Sequence, residues 1–492
     1  MLDLSTIDYS IIGIYFITIL FIGYFVKKKI KNVPDYFLAG RRLTLPIFVA
    51  TLVSTWYGGT LGVVELSFNY GIVNWLTQGF FWYISYLFFA FFLAKKVRET
   101  NLYTVPDQLE RFYDKKVRFL GAIFNFLMVT PAPYMLSLGI IFSLMFGWPA
   151  WVGIILGSVI TLFYTYRGGF LGDVITDVIQ FFLMFVGIGL IIPFAIAQFG
   201  GLEFLQANLP ASHFALTGEW TTQMILVWGF IAFWTLVDPS FYQRCYATKD
   251  SSIPKKGILI SILFWLVFDV FTTTIGMYAR AAMPELDPVT ALPTFAAAVL
   301  PTVFAGLFFT GLLASIMSTI DSFTLLGGMT LSHDIYKKVF KPDITEQEEI
   351  KATRIGIVIT LVFSVIIALY AGSIIGIWYT IGTVGISALL VPILFGFFYH
   401  EKADALVAGK KPRKTSSRGR EIQASAAFYS IIFGSLTAVV WLVWGYTHLD
   451  YGWPVYWFNI EPMYPGLLAS LVVFLGILFI RKPEQVAEEV EI

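Results

Sequence analysis

The chain is organised around long apolar runs separated by short polar segments. Charged loops divide it into thirteen hydrophobic segments, with centres near residues 18, 57, 86, 132, 158, 184, 232, 268, 312, 361, 386, 435 and 472. These runs repeatedly reach the ~18 apolar residues that a helix needs to cross a bilayer. The pattern therefore predicts an all-α integral membrane protein with about thirteen transmembrane helices.

Two of the predicted spans contain residues that interrupt a helix. The second span includes "STWYGGTLG" (residues 54–62), and the seventh includes "WTLVDPS" (residues 234–240). Broken helices within a membrane are tolerated only where they line a cavity or are buried in protein. If the first span precedes the repeat, these breaks fall in spans one and six of a ten-span core, which favours an inverted-repeat transporter. Ordinary kinks are the alternative, because Gly and Pro are frequent in membrane helices.

Composition supports a membrane protein and disfavours an enzyme. Of the 492 residues, 57% are hydrophobic and 13% are charged, whereas soluble domains carry roughly a quarter charged residues. Cys245 is the only cysteine, which excludes disulfides and cysteine-rich metal sites. The four histidines form no HExxH-type cluster, so a metal enzyme receives no support.

The distribution of basic residues predicts the orientation. Alternate loops lie on the same side of the membrane. Of the 33 Lys and Arg residues, 32 fall in the loops of one side or at the C-terminus, and only Arg280 falls on the other side. The chain is expected to lie in the cell membrane, and the positive-inside rule then places the N-terminus outside the cell and the C-terminus in the cytoplasm. The basic stretch at residues 401–423 is expected to be a solvated cytoplasmic loop beside the anionic leaflet.

The ninth span carries an unusual polar face within "ASIMSTIDS" (residues 314–322). On a helix, Ser315, Ser318, Thr319 and Ser322 share one side, and Asp321 is close by. Sodium is a hard cation that prefers oxygen ligands. Ser and Thr in membrane helices also bond their own backbone or join helices, but an intramembrane carboxylate marks an ion or substrate path by default.

Other polar residues lie in the third and sixth spans. Asp177 and Gln180 belong to "TDVIQ" near the start of the sixth span, where a helix-terminal acid in the headgroup region is the alternative. Gln78 follows Asn74 by four residues in the third span. Such an amide suits either a pocket lining or a helix-to-helix contact.

These motifs together resemble those of the sodium/solute symporter family, which includes sodium/proline, sodium/galactose and sodium/sialic acid symporters. "ASIMSTIDS" is similar to its core helix eight, "TDVIQ" to core helix five, "VDPSFYQRCYATKD" to the stretch after core helix six, and "STWYGGTLG" to core helix one. The match spans roughly residues 5–400. The resemblance implies a LeuT-like fold of five plus five inverted spans, with one leading and two trailing helices.

This resemblance implies four regions along the chain. We expect a leading helix and loop at 1–42, the ten-helix transport core at 43–400, the basic loop at 401–423, and two trailing helices with a tail at 424–492.

The resemblance also implies two sodium sites. The principal site would use the carbonyl of Ser315, the hydroxyls of Ser318 and Thr319, and carbonyls of core helix one near Ser54 and Tyr57. A second site, which some members possess, would use Asp177 with Ser318 and Ser322, and Asp321 adds another acid to that face.

For the solute, Gln78 falls where certain members place a substrate-binding side chain. The other pocket candidates are aromatic residues and the glycines of the first break: Trp56, Trp234, Tyr379, Gly58 and Gly59. No Lys or Arg is identified well inside a span, which mildly disfavours acidic sugars. Amino acids, sugars or polyols, and osmolytes all fit.

The function predicted from these residues is sodium-coupled import of a small organic solute by alternating access. The nearest alternative is proton coupling through Asp177 or Asp321. A transporter-like membrane sensor is a second alternative, although the C-terminal segment "RKPEQVAEEVEI" offers no room for a kinase. A channel would need a repeated filter, which the sequence lacks. The expected partners are the solute and the lipid bilayer, with no nucleic acid and no obligate protein partner.

Overall fold

The computed structural model describes residues 1–399, 417–450 and 453–481, and nearly all of them are helical. The helices of the first half are α1 (Thr6–Val26), α2 (Val33–Leu38), α3 (Leu45–Trp56), α4 (Thr60–Tyr70), α5 (Phe81–Phe88), α6 (Ala94–Glu99), α7 (Val105–Phe112), α8 (Lys115–Met128), α9 (Ala132–Phe146), α10 (Ala150–Gly189), α11 (Ile191–Phe199) and α12 (Leu202–Asn208). Two π-helical segments, Trp75–Phe80 and Phe89–Leu93, flank α5 and make the stretch up to α6 continuous.

The second half begins with the other interrupted span. Its helices are α13 (Thr222–Ile231), α14 (Pro239–Ala247), α15 (Ile253–Ala282), α16 (Ala291–Val299), α17 (Phe304–Met329), α18 (Glu346–Tyr370), α19 (Ile374–Tyr399), α20 (Ser417–Thr447) and α21 (Met463–Arg481). A π-helical segment, Thr330–Phe340, extends α17, and two short strands, β1 (Leu449–Asp450) and β2 (Trp453–Pro454), pair between α20 and α21.

Thirteen membrane crossings follow from these helices, as the sequence predicts. Twelve helical stretches of the described chain are long and apolar enough to span a bilayer. One of them, Ala150–Phe199, has 50 residues and would be roughly 75 Å long if straight, more than twice the hydrocarbon thickness. Gly169, with φ of +52°, breaks this stretch, so it crosses twice. The architecture is LeuT-like, with α1 leading a ten-span core and α20 and α21 trailing it.

The first break lies between α3 and α4, where Tyr57–Gly59 form a single 3₁₀ turn. A Cβ on Gly58 would lie 2.2 Å from the hydroxyl oxygen of Thr319, and one on Gly59 would lie 2.1 Å from the Trp378 ring. Both contacts are far too short for any side chain. The paired glycines therefore allow α17 and α19 to approach the broken helix closely.

The second break lies between α13 and α14 and is stabilised by a helix cap. Asp238 accepts hydrogen bonds from the backbone N–H groups of Ser240 at 2.7 Å and Phe241 at 3.1 Å. Pro239 occupies the first turn of α14, where its missing N–H would have had no helical partner. The "DPS" sequence thus starts a new helix inside the membrane.

The helix α17 lies at the centre of the molecule. Nearly all of its residues are buried, and it packs against α10, α18, α1 and the broken helix α3. In contrast, α1 and α21 are the least buried spans, with 28% and 22% of their apolar windows covered by protein. Their outward apolar side chains suit contact with lipid, whereas the polar face of α17 has no access to it.

Most of the predicted basic loop lies outside the described residues. Residues 401–416 lie outside the described residues, as do residues 482–492 of the expected tail. The trailing helix α20 begins at Ser417, so residues 417–423 belong to that helix rather than to the loop.

Candidate functional site

The polar face of α17 lies directly against the first break. Ser315 donates a hydrogen bond to the Tyr57 carbonyl at 2.7 Å, and Thr319 donates one to the Thr55 carbonyl at 2.5 Å. These carbonyls lie at the end of α3, where the helix stops and its last carbonyls lack helical partners. We call Ser315, Ser318 and Thr319, with the carbonyls of Thr55 and Tyr57, the hydroxyl cluster.

Ser318 extends the hydroxyl cluster towards an acid. Its hydroxyl oxygen lies 2.5 Å from Asp177 Oδ1 and 3.2 Å from the hydroxyl oxygen of Ser54. All of these side chains are buried, and the hydrogen-bond partners of the three cluster hydroxyls are oxygens. Such a donor set suits a hard cation, because each hydroxyl oxygen can turn its hydrogen away and offer lone pairs. Two backbone carbonyls of the first break take part in these contacts. The carbonyl of Tyr57 was predicted from the sequence, and that of Thr55 is seen in the structure.

Beside the hydroxyl cluster, one arginine is surrounded by acids and hydroxyls. Arg244 Nη2 lies 3.3 Å from Asp177 Oδ2, 3.7 Å from Asp173 Oδ2, 2.8 Å from the Ser322 hydroxyl and 2.5 Å from the Thr55 hydroxyl. Ser322 also donates to Asp173 at 2.7 Å. We call Asp173, Asp177, Ser322 and Arg244 the Arg244 cluster.

The position of Arg244 corrects the sequence analysis. Its neighbours Lys249, Lys255 and Lys256 made it look like part of a basic loop, and no Arg or Lys was identified well inside a span. The structure places it in a membrane-spanning stretch, Thr222–Ala247, with a fully buried side chain. Asp173, one helical turn before Asp177, was also missed, although its i−4 spacing puts it on the same face.

Asp321 is near this cluster but makes a different contact. Its Oδ2 accepts a hydrogen bond from the Tyr164 hydroxyl on α10, and its buried Oδ1 has no hydrogen-bond partner. Asp173 Oδ1 is likewise buried without a partner. The region therefore holds three carboxylates, one guanidinium and two unsatisfied carboxylate oxygens.

Between the two breaks lies a cavity lined by residues of both broken helices. Four of the predicted pocket residues line it: Trp56, Gly59, Gln78 and Trp234. Gly58 instead faces Thr319 and so contacts the hydroxyl cluster. The hydroxyl of Tyr379 bonds to Glu461 ahead of α21, and Tyr379 is not among the lining residues.

Aromatic side chains dominate this cavity, and we call it the aromatic cavity. Eight of its fifteen lining residues are aromatic. They are Trp56, Tyr57, Trp82, Tyr134, Trp228, Trp234, Phe323 and Trp378. Asp238 and Asp269 also line it, and no Lys, Arg or His does.

Asp269 is a cavity residue that no sequence motif predicts. Its carboxylate accepts hydrogen bonds from the hydroxyls of Tyr57 and Tyr83, and its side chain is buried. It is the single acid of the apolar run "LFWLVFDVF" (residues 263–271). An acid at that depth is rare enough to have marked it as a functional candidate.

A further polar group lies away from both sites, where α7 meets the π-helical extension of α17. His333 contacts Glu349 at 2.6 Å through Nδ1 and Asp107 at 3.1 Å through Nε2, and Lys338 lies 3.5 Å from Asp107. We call these four residues the ion-pair network. Burial opposes ionisation of Asp107, but His333 and Lys338 outweigh it and lower the pKa of Asp107 to about 2.

Asp107, His333 and Asp334 also bring potential metal ligands within 4.8 Å of one another. Both ring nitrogens of His333 nevertheless point at carboxylates, which is the arrangement of a protonated imidazole. A metal would need one of those nitrogens as a lone-pair donor. The group therefore resembles a set of ion pairs more than a metal centre.

Comparison with known proteins agrees with this architecture. Residues 36–406 match the family model described as the sodium:solute symporter family, which is about three quarters of the chain. The chain belongs to this family and is a membrane transporter rather than an enzyme. Membership implies the use of sodium and of a small solute.

Individual relatives differ in their solutes. The chain is 27% identical over 395 residues to a high-affinity choline transporter of Drosophila melanogaster, covering 75% of this chain and 63% of that protein. It is 27% identical over 393 residues to an osmoregulated proline transporter of Bacillus subtilis, covering 74% of this chain and 77% of that protein. A substrate-bound, outward-open Na⁺-coupled sialic acid symporter superposes with a TM-score of 0.80 at 18% identity, covering 98% of this chain and all of that one.

Proposed function

We propose that this chain imports a small organic solute through the aromatic cavity, driven by sodium bound at the hydroxyl cluster. The observation that carries the proposal is the position of Tyr57. Its carbonyl belongs to the hydroxyl cluster, and its side chain lines the cavity and bonds to Asp269. Occupation of the two sites by ion and solute would therefore act on the same turn of the broken helix.

Sodium at the hydroxyl cluster is supported by the donor atoms. Ser318 and Thr319 offer hydroxyl oxygens, and the break exposes the carbonyls of Thr55 and Tyr57. Neutral oxygens bind a hard monovalent cation without competition from protons. The predicted carbonyl of Ser315 already accepts a bond from Thr319 at 3.4 Å, so it faces the same group of side chains.

The Arg244 cluster supports a second sodium beside the first. Asp173 and Asp177 share one guanidinium, so the pair of acids retains one uncompensated negative charge when both are ionised. Buried charges need counter-ions because desolvation is costly. A sodium held by Asp177, Ser318 and Ser322 would supply the missing charge, and Asp321, next to Ser322 in the chain, has an unsatisfied Oδ1.

Sodium is favoured over protons as the driving ion. Proton coupling through Asp177 would require that carboxylate to be protonated during transport. Protonation of Asp177 would remove the ion pair that its carboxylate forms with the Arg244 guanidinium at 3.3 Å. Asp321 bonds to the Tyr164 hydroxyl and has no ion pair within the part of the chain that the structure describes, so it is the better proton carrier of the two.

The direction and location of transport follow from the charge distribution. With Arg244 inside a span and Arg280 on the other side, 31 of the 33 Lys and Arg residues remain on one side, and we propose a cell-membrane protein with its N-terminus outside and its C-terminus in the cytoplasm. The sodium gradient across such a membrane would drive import. The relatives named above carry choline, proline and sialic acid, so the solute class here is a small organic molecule.

Sodium binding can be tested without knowing the solute. Thermal unfolding of the purified protein should shift upwards with sodium chloride but not with potassium chloride, because a ligand that binds the folded state stabilises it. The double change Ser318→Ala and Thr319→Ala should abolish the shift. The matched control is Thr310→Ala, since Thr310 is buried on the same helix but bonds only the Gly306 carbonyl of its own helix, at 2.8 Å.

The same titration tests the second ion. Wild-type protein should bind sodium with a Hill coefficient above one, and Asp177→Asn should lower it to one. Equal shifts with sodium and potassium, combined with stabilisation that depends on pH alone, would favour proton coupling and contradict the proposal. A wild-type coefficient of one would contradict the second ion only.

A further inference from the structure

We infer that the solute of the aromatic cavity is a small organic cation, an alkylated ammonium compound that also carries an oxygen acceptor. This inference rests on the proposed function and names the class of solute. It follows from three properties of the lining: its charge, its aromatic faces and its unused hydrogen-bond donors.

The charge of the lining favours a cation. Asp238 and Asp269 are the only ionisable acid or base groups among the fifteen lining residues, apart from tyrosine hydroxyls. Neither forms an ion pair within the part of the chain that the structure describes; their partners are hydroxyl and N–H groups. An anionic solute would meet repulsion there, and a neutral one would gain nothing from the two carboxylates.

The aromatic faces favour an alkylated ammonium in particular. Five tryptophans line the cavity, and tryptophan is the strongest aromatic partner of a cation. Both oxygens of Asp269 already accept hydroxyl hydrogens, from Tyr57 and Tyr83. An ammonium group without N–H hydrogens needs no acceptor of its own, and aromatic faces attract it through their quadrupoles.

The unused donors indicate what the rest of the solute carries. Gln78 Nε2, Trp82 Nε1 and Trp378 Nε1 are buried and have no hydrogen-bond partner. All three residues line the cavity, and the Trp82 side chain is more than nine-tenths buried. Buried donors without partners are costly, so an oxygen acceptor on the solute would satisfy at least one of them.

The test compares ligands of the same shape and different charge. Choline carries the predicted cation and hydroxyl, whereas 3,3-dimethylbutan-1-ol replaces its charged nitrogen by carbon. Glycine betaine keeps the trimethylammonium group but adds a carboxylate, and proline is a zwitterion with N–H donors. Affinities are measured by titration of the purified protein in sodium chloride and again in potassium chloride.

Choline should bind at least about ten-fold more tightly than 3,3-dimethylbutan-1-ol, glycine betaine and proline, which corresponds to ~1.4 kcal/mol. The neutral isostere, betaine or proline binding as tightly as choline would overturn the inference. This comparison uses wild-type protein, so it does not depend on any variant folding.

A pair of variants locates the charge that selects the cation. Asp269→Asn should weaken choline binding about ten-fold and leave binding of the neutral isostere nearly unchanged. Glu461→Gln is the matched control, because Glu461 is a largely buried acid that also bonds a tyrosine but lies outside the cavity. Equal effects of both changes on choline would overturn the role of Asp269.

The outcomes separate this inference from the proposed function. If sodium alone stabilises the protein but choline has no advantage over its isostere, the inference fails and sodium coupling stands. If sodium has no effect while choline binds selectively in either salt, the proposed function fails and the solute class stands.

Discussion

The ion-pair network and the aromatic cavity both bury carboxylates, but they treat the negative charge in opposite ways. In the network, Asp107 and Glu349 each contact His333, and lysines lie within 3.5 Å of both acids. In the cavity, Asp238 and Asp269 contact only neutral donors. The acids of the network are paired with cations, whereas the two acids of the cavity have no cation partner among the described residues.

The Arg244 cluster lies between these two extremes. It contains a protein cation, but one guanidinium faces two acids at 3.3 and 3.7 Å. We interpret the three regions as a series from structural ion pairs, through a partly compensated ion site, to an uncompensated solute site. Variants that each remove one charged side chain should test this interpretation through their losses in the free energy of unfolding.

The largest effect is expected from Arg244→Ala. Asp173 and Asp177 would then be buried without a counter-ion, which typically destabilises a protein by about 3–5 kcal/mol. Equilibrium unfolding in detergent micelles measures this loss. Adding Asp177→Asn to the Arg244→Ala background should recover part of it, because one unpaired charge is removed. A loss below ~1 kcal/mol for the single variant would mean that water already compensates the cluster.

A smaller loss is expected from Asp107→Asn, and it should depend on pH. The folded-state pKa of about 2 lies below the unperturbed value of 3.8, so ionised Asp107 stabilises the folded state. That stability is present in full above about pH 5 and is lost as the pH falls through 3.8 towards 2.

Unfolding of wild type and Asp107→Asn should therefore differ by ~1–3 kcal/mol at neutral pH and converge in acid. The exposed acid Asp343 provides the control, since Asp343→Asn should change little at any pH. A difference that persists unchanged at pH 3 would show that the aspartate contributes through packing rather than charge.

The smallest effect is expected from Tyr379→Phe, which tests a predicted pocket residue that lies outside the cavity. The change removes only the hydroxyl bond to Glu461, so the stability loss should be about 1 kcal/mol. Affinity for choline should stay within two-fold of wild type by the titration described above, roughly the error of such a comparison. A ten-fold loss of affinity would place Tyr379 in the solute path after all.

The sequence predicted the spans and both breaks because their signals are local. Apolar runs, Gly58 with Gly59, and Asp238 with Pro239 each specify structure through neighbouring residues. The hydroxyl face of α17 was predictable for the same reason, since helical periodicity brings Ser315, Ser318, Thr319 and Ser322 to one side.

What the sequence did not predict depends on contacts between distant helices. Asp269 meets Tyr57 and Tyr83, which precede it by 212 and 186 residues, so no local motif contains the group. Arg244 was misplaced because its sequence neighbours are basic, while its spatial neighbours are acids on α10. The prediction of Tyr379 as a pocket residue rests on its being aromatic and in a core helix, and residue type alone does not say which side of a helix faces a cavity.

The position of Tyr57 has a thermodynamic consequence that holds in both directions. In the proposed mechanism its backbone carbonyl belongs to the sodium site and its phenol to the solute cavity, so ion and solute would both act on this residue. By linkage, whatever factor the ion adds to solute affinity, the solute must add to ion affinity. Energies of this kind are typically about 1–3 kcal/mol, or roughly 5- to 150-fold in affinity. A residue shared in this way would favour the empty and doubly occupied forms over the singly occupied ones, and would therefore disfavour passage of either ligand alone.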